Sequence, residues 1–285
     1  MKEKKYKQYD KEKTEKTGRK VTGIKTDSQQ QPAAKTHEDI IVGRNAVLEA
    51  LKTGRTINKL YILDGARGGS MGEITLLAKE AGSLIEYVPR EKLDELSDNM
   101  RHQGVAAQVS PVAFHTLEEV LAQAKEKQQT PFLLLLDELQ DPQNVGALLR
   151  TADAAGVHGV LLPQRRSCPL NATVAKTSAG AIEYVPVVKI GNVSQTIEEL
   201  KKMGFWVIGA DMSGQEPYFK ANLTGPIVVV VGAEGRGLTR LVKENCDVLV
   251  SIPMSGGVSS LNASVAGAIL VYEVVRQRMN SLVKN

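Results

Sequence analysis

Ile252-Pro-Met-Ser-Gly-Gly-Val-Ser-Ser-Leu-Asn-Ala-Ser-Val265 has the pattern of a strand end, a flexible loop and the start of a long helix. The apolar run from Val248 to Ile252 predicts a buried strand, and Pro253 ends it. Gly256 and Gly257 then give the backbone a freedom that residues with a side chain lack. The stretch therefore predicts a strand, a loop and a helix in immediate succession.

Small residues near the helix start indicate two possible roles for this loop. Ser259, Ser260 and Asn262 are residue types that cap helix N-termini. Apolar residues then recur at helical spacing, at Val265, Ala268, Ile269 and Tyr272. Main-chain N–H groups at a helix N-terminus suit a closely held ligand, but the local pattern alone favours an ordinary strand-to-helix turn with a cap. Other segments must decide between these two readings.

The second half of the chain has the pattern of an α/β domain. Phe132 to Asp137 is a continuous apolar run, typical of a strand buried on both faces of a parallel sheet. Helical segments lie between most of the later apolar runs, which predicts roughly six parallel strands. The predicted later strands are 157–162, 185–188, 205–210, 227–231 and 248–252. The predicted helices are 144–155, 172–179, 193–203 and 238–245.

Functional residues of such a sheet are expected in the loops at the carboxyl ends of its strands. Three of these loops contain the polar and glycine residues of interest: Asp141–Arg150, Gly232–Gly237 and the quoted stretch. Arg150 lies among apolar positions, so we expect its guanidinium to have an anionic or carbonyl partner. Taken singly, Asn144 is explained as a helix N-cap and Glu234 as an acid in a first helical turn.

The glycine-rich loop Gly232-Ala-Glu-Gly-Arg-Gly237 does not fit a dinucleotide site. That site requires Gly-x-Gly-x-x-Gly after the first strand, whereas here the order is Gly-x-x-Gly-x-Gly after a late strand. The Glu234 carboxylate inside the loop would repel a pyrophosphate. The phosphate-binding pattern Gly-x-x-x-x-Gly-Lys-Ser/Thr is also absent from the sequence.

The first half of the chain predicts a small α/β binding module. Strands are expected at 59–63, 84–88 and 105–109, with helices at 43–51 and 71–81, and a helix at 116–130 fades into a polar connection. Gly65–Ser70 is interpreted as a connecting loop, with phosphate contact as the alternative. His102 is interpreted as a structural histidine rather than a catalyst.

The N-terminal segment carries most of the positive charge. Residues 1–36 hold eleven Lys or Arg and five Asp or Glu, within a chain whose net charge is +4. Almost no apolar residues occur there, so we expect a disordered basic tail over 1–37. Its role is either to capture a polyanion or simply to aid solubility.

Cysteine and histidine usage indicates a metal-free protein of a reducing compartment. Cys168 and Cys246 are far apart, and the four histidines form no ligand-like cluster in the sequence. We therefore expect a cytoplasmic protein without a metal or disulfide. A secretory leader and a membrane-spanning segment of about 20 apolar residues are likewise not expected.

Three motifs in this order and spacing resemble those of the SpoU (TrmH) family of RNA ribose 2′-O-methyltransferases, in the SPOUT superfamily. The motifs are Asn144–Arg150, Gly232–Gly235, and Ile252–Met254 with Ser260–Ser264, and the resemblance covers about 131–278. Residues 39–114 resemble the L30e-like substrate-binding domain of ribosomal-RNA members, particularly the 23S rRNA guanosine branch. The implied organisation is a tail 1–37, an L30e-like domain 38–115, a linker 116–130 and a methyltransferase domain 131–285.

The resemblance implies an α/β trefoil knot that binds S-adenosylmethionine, and a homodimer with each active site near the subunit interface. Gly232, Ile252 and Leu261 would line the cofactor pocket. Arg150 would activate or position the ribose hydroxyl, oriented by Asn144 and Glu234. Asn262 would hold the loop or the substrate, and Ser260 would contact an RNA phosphate. No metal is required.

The implied activity is methylation of a ribose 2′-hydroxyl, with a guanosine of 23S rRNA or of a ribosomal precursor particle as the favoured target. A tRNA ribose methyltransferase of the same family is the first alternative. The second is a non-catalytic RNA-binding assembly factor, which predicts damage at the catalytic positions. Asn144, Arg150, Glu234 and Asn262 are all intact, which favours an enzyme.

Overall fold

Two β-sheets organise the chain in the computed structural model, which describes residues 40–283. The first sheet has four strands in the order β1-β4-β2-β3, and only the β2–β3 pair is parallel. Its strands are β1 (Ile40–Val42), β2 (Ile57–Leu63), β3 (Leu84–Val88) and β4 (Val105–Val109). Three of these were predicted, whereas β1 was not. The predicted disordered tail 1–37 lies outside the described residues.

Three helices accompany the first sheet. They are α1 (Arg44–Lys52), α2 (Met71–Glu80) and α3 (Arg90–Leu96). Helices α1 and α2 lie where the sequence predicts them, but α3 was not predicted. It has seven residues and completely buries only Leu93, so its periodic signal is weak.

Helix α4 (Leu117–Glu126) follows the first sheet and packs on the second. Thr116 Oγ1 accepts a hydrogen bond from Glu119 N at 3.2 Å, and Glu119 Oε2 accepts one from Thr116 N at 2.9 Å. This reciprocal capping box fixes the start of the helix. Val120 is completely buried, and it lies so close to Gly159 that a side chain at that glycine would clash with it.

The second sheet is parallel throughout and has seven strands in the order β7-β6-β5-β10-β8-β11-β9. Six strands lie where the sequence predicts them, within about two residues. The seventh, β9, has two residues and was not predicted. The strands are β5 (Phe132–Asp137), β6 (Gly159–Pro163), β7 (Val187–Ile190), β8 (Trp206–Ala210), β9 (Glu216–Pro217), β10 (Ile227–Gly232) and β11 (Val248–Ser251).

Helices cover both faces of the second sheet. The side chains of α5 and α9 share one buried cluster, and those of α7 and α8 share another with α4. This arrangement explains why every residue of β5 and β10 is buried. The helices are α5 (Pro142–Ala154), α6 (Ala172–Thr177), α7 (Val193–Lys202), α8 (Arg240–Asn245) and α9 (Ala263–Val283).

A buried ion pair joins the first module (residues 40–115) to the second (residues 116–283). Arg55 Nη1 lies 2.6 Å from Glu183 Oε1, and the two side chains are 9% and 7% exposed. Arg55 also donates through Nε and Nη2 to the carbonyl of Ser110, at 2.9 and 2.7 Å. Burial raises the pKa of Glu183, while Arg55 opposes that rise. None of the described helices is long and apolar enough to cross a membrane.

Candidate active site

A cavity of about 530 Å³ opens at the carboxyl ends of β8, β10 and β11. Its walls come from the three segments that follow these strands. The lining includes Asp211, Ser213, Gly232, Glu234, Lys243, Ile252, Met254, Ser260 and Leu261. The cavity lies at the sheet edge where the sequence predicts function, because parallel strands present their loops on one side.

Main chain forms one wall of the cavity at the end of β10. Gly237 N donates to the carbonyl of Ala233 at 2.8 Å, which closes a tight turn. A Cβ atom on Gly232 would lie 2.2 Å from the carbonyl carbon of Gly237 and 2.5 Å from Leu238 N. Because these are backbone atoms that cannot rotate away, only glycine fits at 232.

The segment after β11 forms the opposite wall. Ile252 and Leu261 contribute half-buried aliphatic side chains, and the exposed Ser260 adds a hydroxyl. The structure thus brings together the three predicted cofactor residues, Gly232, Ile252 and Leu261, around one cavity. Ser260, the predicted phosphate contact, lies there too.

Asn144 and Glu234 meet although 90 residues separate them in the chain. Asn144 Nδ2 donates to Glu234 Oε2 at 3.2 Å, and Asn144 is only 4% exposed. The contact connects the first turn of α5 to the tight turn after β10. Of the three residues predicted to act together, two are therefore joined directly.

The local explanations offered for these two residues are wrong. Asp141, not Asn144, caps α5, since its carboxylate accepts from Gln143 N at 3.3 Å and Asn144 N at 3.0 Å. Glu234 does not lie in a first helical turn, because α8 begins only at Arg240. The burial of Asn144 and its bond to Glu234 thus follow from the tertiary fold.

Arg150 lies on α5, outside the cavity lining. Arg150 is exposed, whereas Leu148 and Leu149 are completely buried. Within residues 40–283 its guanidinium has neither a hydrogen bond nor an ion pair. The anionic or carbonyl partner expected for Arg150 is therefore not found among the described residues, and the side chain is exposed rather than buried.

Asn262 caps the long C-terminal helix α9. Its Oδ1 accepts from Ser264 N at 2.9 Å, from Val265 N at 3.3 Å and from Ser264 Oγ at 2.6 Å. The capping role expected from the sequence is confirmed. Asn262 is exposed and is not one of the cavity-lining residues.

Asp211, directly after β8, is a cavity residue that the sequence analysis missed. Its Oδ2 lies 2.7 Å from Lys243 Nζ, and its Oδ1 accepts from Ser213 N at 2.9 Å. Burial acts to raise the pKa of Asp211, but the hydrogen bonds from Lys243 and Ser213 outweigh it and lower the pKa. A polar residue at the end of a predicted strand was the available signal.

Among residues 40–283, the titratable groups outside the cavity provide neither a cluster of metal ligands nor an activated thiol. No group of three His, Cys, Asp or Glu suited to a metal occurs among the described residues. Burial raises the pKa of Cys168 to about 11 and that of Cys246 to about 12. Both thiols are therefore protonated at neutral pH and weakly nucleophilic.

In the first module, His102 is structural, as predicted. Its Nδ1 accepts from Gly104 N at 3.0 Å, and its Nε2 lies 3.1 Å from Asp94 Oδ1. Gly65–Ser70 connects β2 to α2, and Arg44 links it to the segment before β4 by donating to the carbonyls of Gly68 and Gln103.

Two family models match the chain in succession. The model of the SpoU rRNA methylase family matches residues 131–272. The model of the RNA 2′-O ribose methyltransferase substrate-binding domain matches residues 40–115. The second match covers the described first sheet and its helices.

Similar proteins align over most of the chain. YacO of Bacillus subtilis, assigned to the TrmH family of tRNA/rRNA methyltransferases, is 47% identical over 84% of this chain and 96% of its own length. A protein of the same assignment from Staphylococcus saprophyticus is 46% identical over 85% and 96%. The crystal structure of the SpoU methyltransferase AviRb from Streptomyces viridochromogenes, in complex with AdoMet, superposes with a TM-score of 0.70. It is 23% identical over 85% of this chain and 90% of AviRb, so it supports the fold.

Proposed function

The chain belongs to the SpoU family of RNA methyltransferases, and we propose that it methylates a ribose 2′-hydroxyl of RNA with S-adenosylmethionine. The observation that carries the proposal is the meeting of all three family motifs in one region. Two of them line a single cavity, and Asn144 of the first is bonded to Glu234 of the second. A guanosine of 23S rRNA is the target we favour.

The residues around the cavity fit S-adenosylmethionine. Its volume of about 530 Å³ suits a nucleoside-sized molecule, and Ile252 and Leu261 offer aliphatic surface to a flat base. The glycine at 232 lets backbone approach the ligand closely. The carboxylate oxygens of Asp211 and Glu234 add hydrogen-bond acceptors, which suit the hydroxyl groups of the ligand.

The cofactor supplies an electrophilic methyl group, so the protein must position a weakly nucleophilic hydroxyl and help it lose a proton. Glu234 is held by Asn144 through one oxygen, which leaves its other oxygen available to orient the ribose. We propose that Arg150 binds the hydroxyl or the adjacent phosphate and stabilises developing negative charge. Direct proton abstraction by Arg150 is disfavoured, since the guanidinium of arginine stays protonated in proteins and cannot accept a further proton.

The position of Arg150 supports a site completed by a second copy of the chain. Arg150 is exposed, outside the cavity lining, and without a partner among residues 40–283. In a homodimer with each active site near the subunit interface, such an arginine could reach the substrate bound to the other subunit. We therefore propose the homodimer as the active form.

Two structural expectations remain part of the proposal. A knotted C-terminal segment is proposed from the family membership, and the loops after β10 and β11, which line one cavity, are consistent with it. The match of residues 40–115 to a substrate-binding family model supports an L30e-like domain that binds RNA. Asn262 then serves this site by fixing the loop that carries Ser260, whose hydroxyl we assign to an RNA phosphate.

The identity of the RNA is tested by methyl transfer from labelled S-adenosylmethionine to unmodified 23S rRNA, ribosomal precursor particles and bulk tRNA. The assigned names of the relatives mention both tRNA and rRNA, so both belong in one assay. We expect label in 23S rRNA or its precursor particle, strongly reduced in Arg150→Ala and retained in the exposed control Lys202→Ala. Label confined to tRNA would move the protein to the tRNA branch. No label in any RNA, with intact cofactor binding, would favour a non-catalytic RNA-binding protein.

A further inference from the structure

The two modules are held together in a fixed arrangement along α6. Besides the buried Arg55–Glu183 pair, Thr173 Oγ1 on α6 donates to Met100 Sδ of the first module at 3.8 Å. One continuous cluster of buried apolar side chains includes Ile41 of the first module and Val174 of α6. A ligand that contacts both modules would therefore meet a preorganised surface.

Two positive charges lie at this junction. Arg101 follows Met100 directly, and Lys176 lies one turn after Thr173 on α6. The contact between Met100 and Thr173 brings the segments that carry Arg101 and Lys176 together, and burial together with the charge of Arg101 lowers the pKa of Lys176. Within residues 40–283 neither side chain has a hydrogen bond or an ion pair.

Two neighbouring cations without a counter-ion repel each other and favour an anion between them. We propose that Arg101 and Lys176 together bind one backbone phosphate of the RNA substrate, so that both modules hold the same strand. The identification of the anion as RNA rests on the function proposed above. The site differs from the cavity, whose lining includes neither residue.

The position of α6 relates this phosphate site to the reaction centre. Helix α6 packs directly on α5, because a Cβ atom on Gly146 would lie 2.7 Å from Thr177 Cβ and 2.9 Å from the Val174 carbonyl oxygen. Gly146 lies between Asn144 and Arg150 on α5. An RNA strand held at Lys176 therefore lies close to the helix that carries two of the four predicted catalytic residues, Asn144 and Arg150.

The test compares Arg101→Gln, Lys176→Gln and the double variant with the control Lys202→Gln. Lys202 is an exposed cation of α7, on the other face of the second sheet, and it has no ion pair among the described residues. Binding of in vitro transcribed 23S rRNA is measured between 50 and 300 mM salt by filter retention. Cofactor affinity and thermal unfolding are measured in parallel without RNA.

We expect each single variant to weaken RNA binding at least fivefold, and Lys202→Gln to weaken it less than twofold. Because the two cations share one phosphate, the double variant should lose less than the product of the single losses. For the double variant, the slope of log binding constant against log salt concentration should become shallower by about 0.7–0.9 in total, the value for the loss of one phosphate contact. The melting temperature should not fall, since each substitution removes a repulsion, whereas a merely structural role would lower it.

The site would be refuted if Lys176→Gln bound RNA like Lys202→Gln. It would also be refuted by fully multiplicative losses with a slope change of about two contacts, because the cations would then bind separate phosphates. If the variants lose RNA binding as expected but the wild-type protein transfers no methyl group, the phosphate site is supported and the proposed activity is refuted. Wild-type protein that binds no RNA would refute both.

Discussion

Replacing Gly232 with alanine tests whether backbone packing forms the cofactor cavity. The added Cβ atom would lie 2.2 Å from Gly237 C, 2.3 Å from Gly237 O and 2.5 Å from Leu238 N. Ordinary contact distances are about 3.5 Å, so the tight turn after β10 must move by about 1 Å. Such overpacking costs roughly 1–3 kcal/mol, and the displaced turn carries Glu234 away from Asn144.

The assay combines thermal unfolding with calorimetric titration of S-adenosylmethionine. For Gly232→Ala we expect the melting temperature to fall by about 2–4 °C for each kcal/mol of lost unfolding free energy, and cofactor affinity to fall at least tenfold. Gly191→Ala is the matched control, because no atom lies within 4 Å of the Cβ position there. Wild-type stability and cofactor affinity in Gly232→Ala would refute the packing argument.

Three further predictions concern groups in and around the site. Asn144→Ala removes a hydrogen bond to the Glu234 carboxylate that is worth about 1.5–3 kcal/mol. We therefore expect kcat to fall about 10–100-fold while cofactor affinity stays near wild type. An unchanged kcat would contradict the role of this pair. The lowered pKa of Asp211 means that its bonds stabilise the fold above the ordinary carboxylate pKa and are lost as pH falls through the lowered value. The difference in unfolding free energy between wild type and Asp211→Asn should therefore shrink as the pH is lowered below the ordinary carboxylate pKa; a constant difference would contradict this assignment. Burial raises the pKa of Cys168 to about 11 and that of Cys246 to about 12. Both thiols should therefore react with iodoacetamide at pH 7.5 far more slowly in the folded than in the denatured protein, as measured by mass spectrometry. Equal rates would show that the thiols are not protected.

The second sheet could be predicted because its strands are long and apolar. Phe132 to Asp137 has no polar residue before its end, a pattern that few other structures produce. By contrast, β1 and β9 have three and two residues, too few for a periodic signal, and their extended form depends on neighbouring strands. Helix α3 was missed because it completely buries only Leu93, which leaves its apolar spacing weak.

The site was predictable as a set of loops but not as a geometry. Asn262 caps α9, as the sequence predicts, because capping depends on residues that are close in sequence. The Asn144–Glu234 contact spans 90 residues and depends on β10 pairing with β5, which local pattern does not reveal. Arg150 was expected to have an anionic or carbonyl partner because its sequence neighbours are buried. Each helical residue is turned by about 100° from the one before it, so Arg150 lies on the exposed side of α5 although Leu148 and Leu149 are buried.

The most direct test of ribose methylation locates the transferred methyl group on the RNA. RNA methylated by the wild-type protein is hydrolysed in alkali, which cannot cleave the chain next to a 2′-O-methylated nucleotide because the attacking hydroxyl is blocked. We predict that the label appears in an alkali-resistant dinucleotide, and that mass spectrometry identifies 2′-O-methylguanosine. Label in a mononucleotide carrying a methylated base would contradict the account, because the site would then act on a base rather than on a ribose hydroxyl.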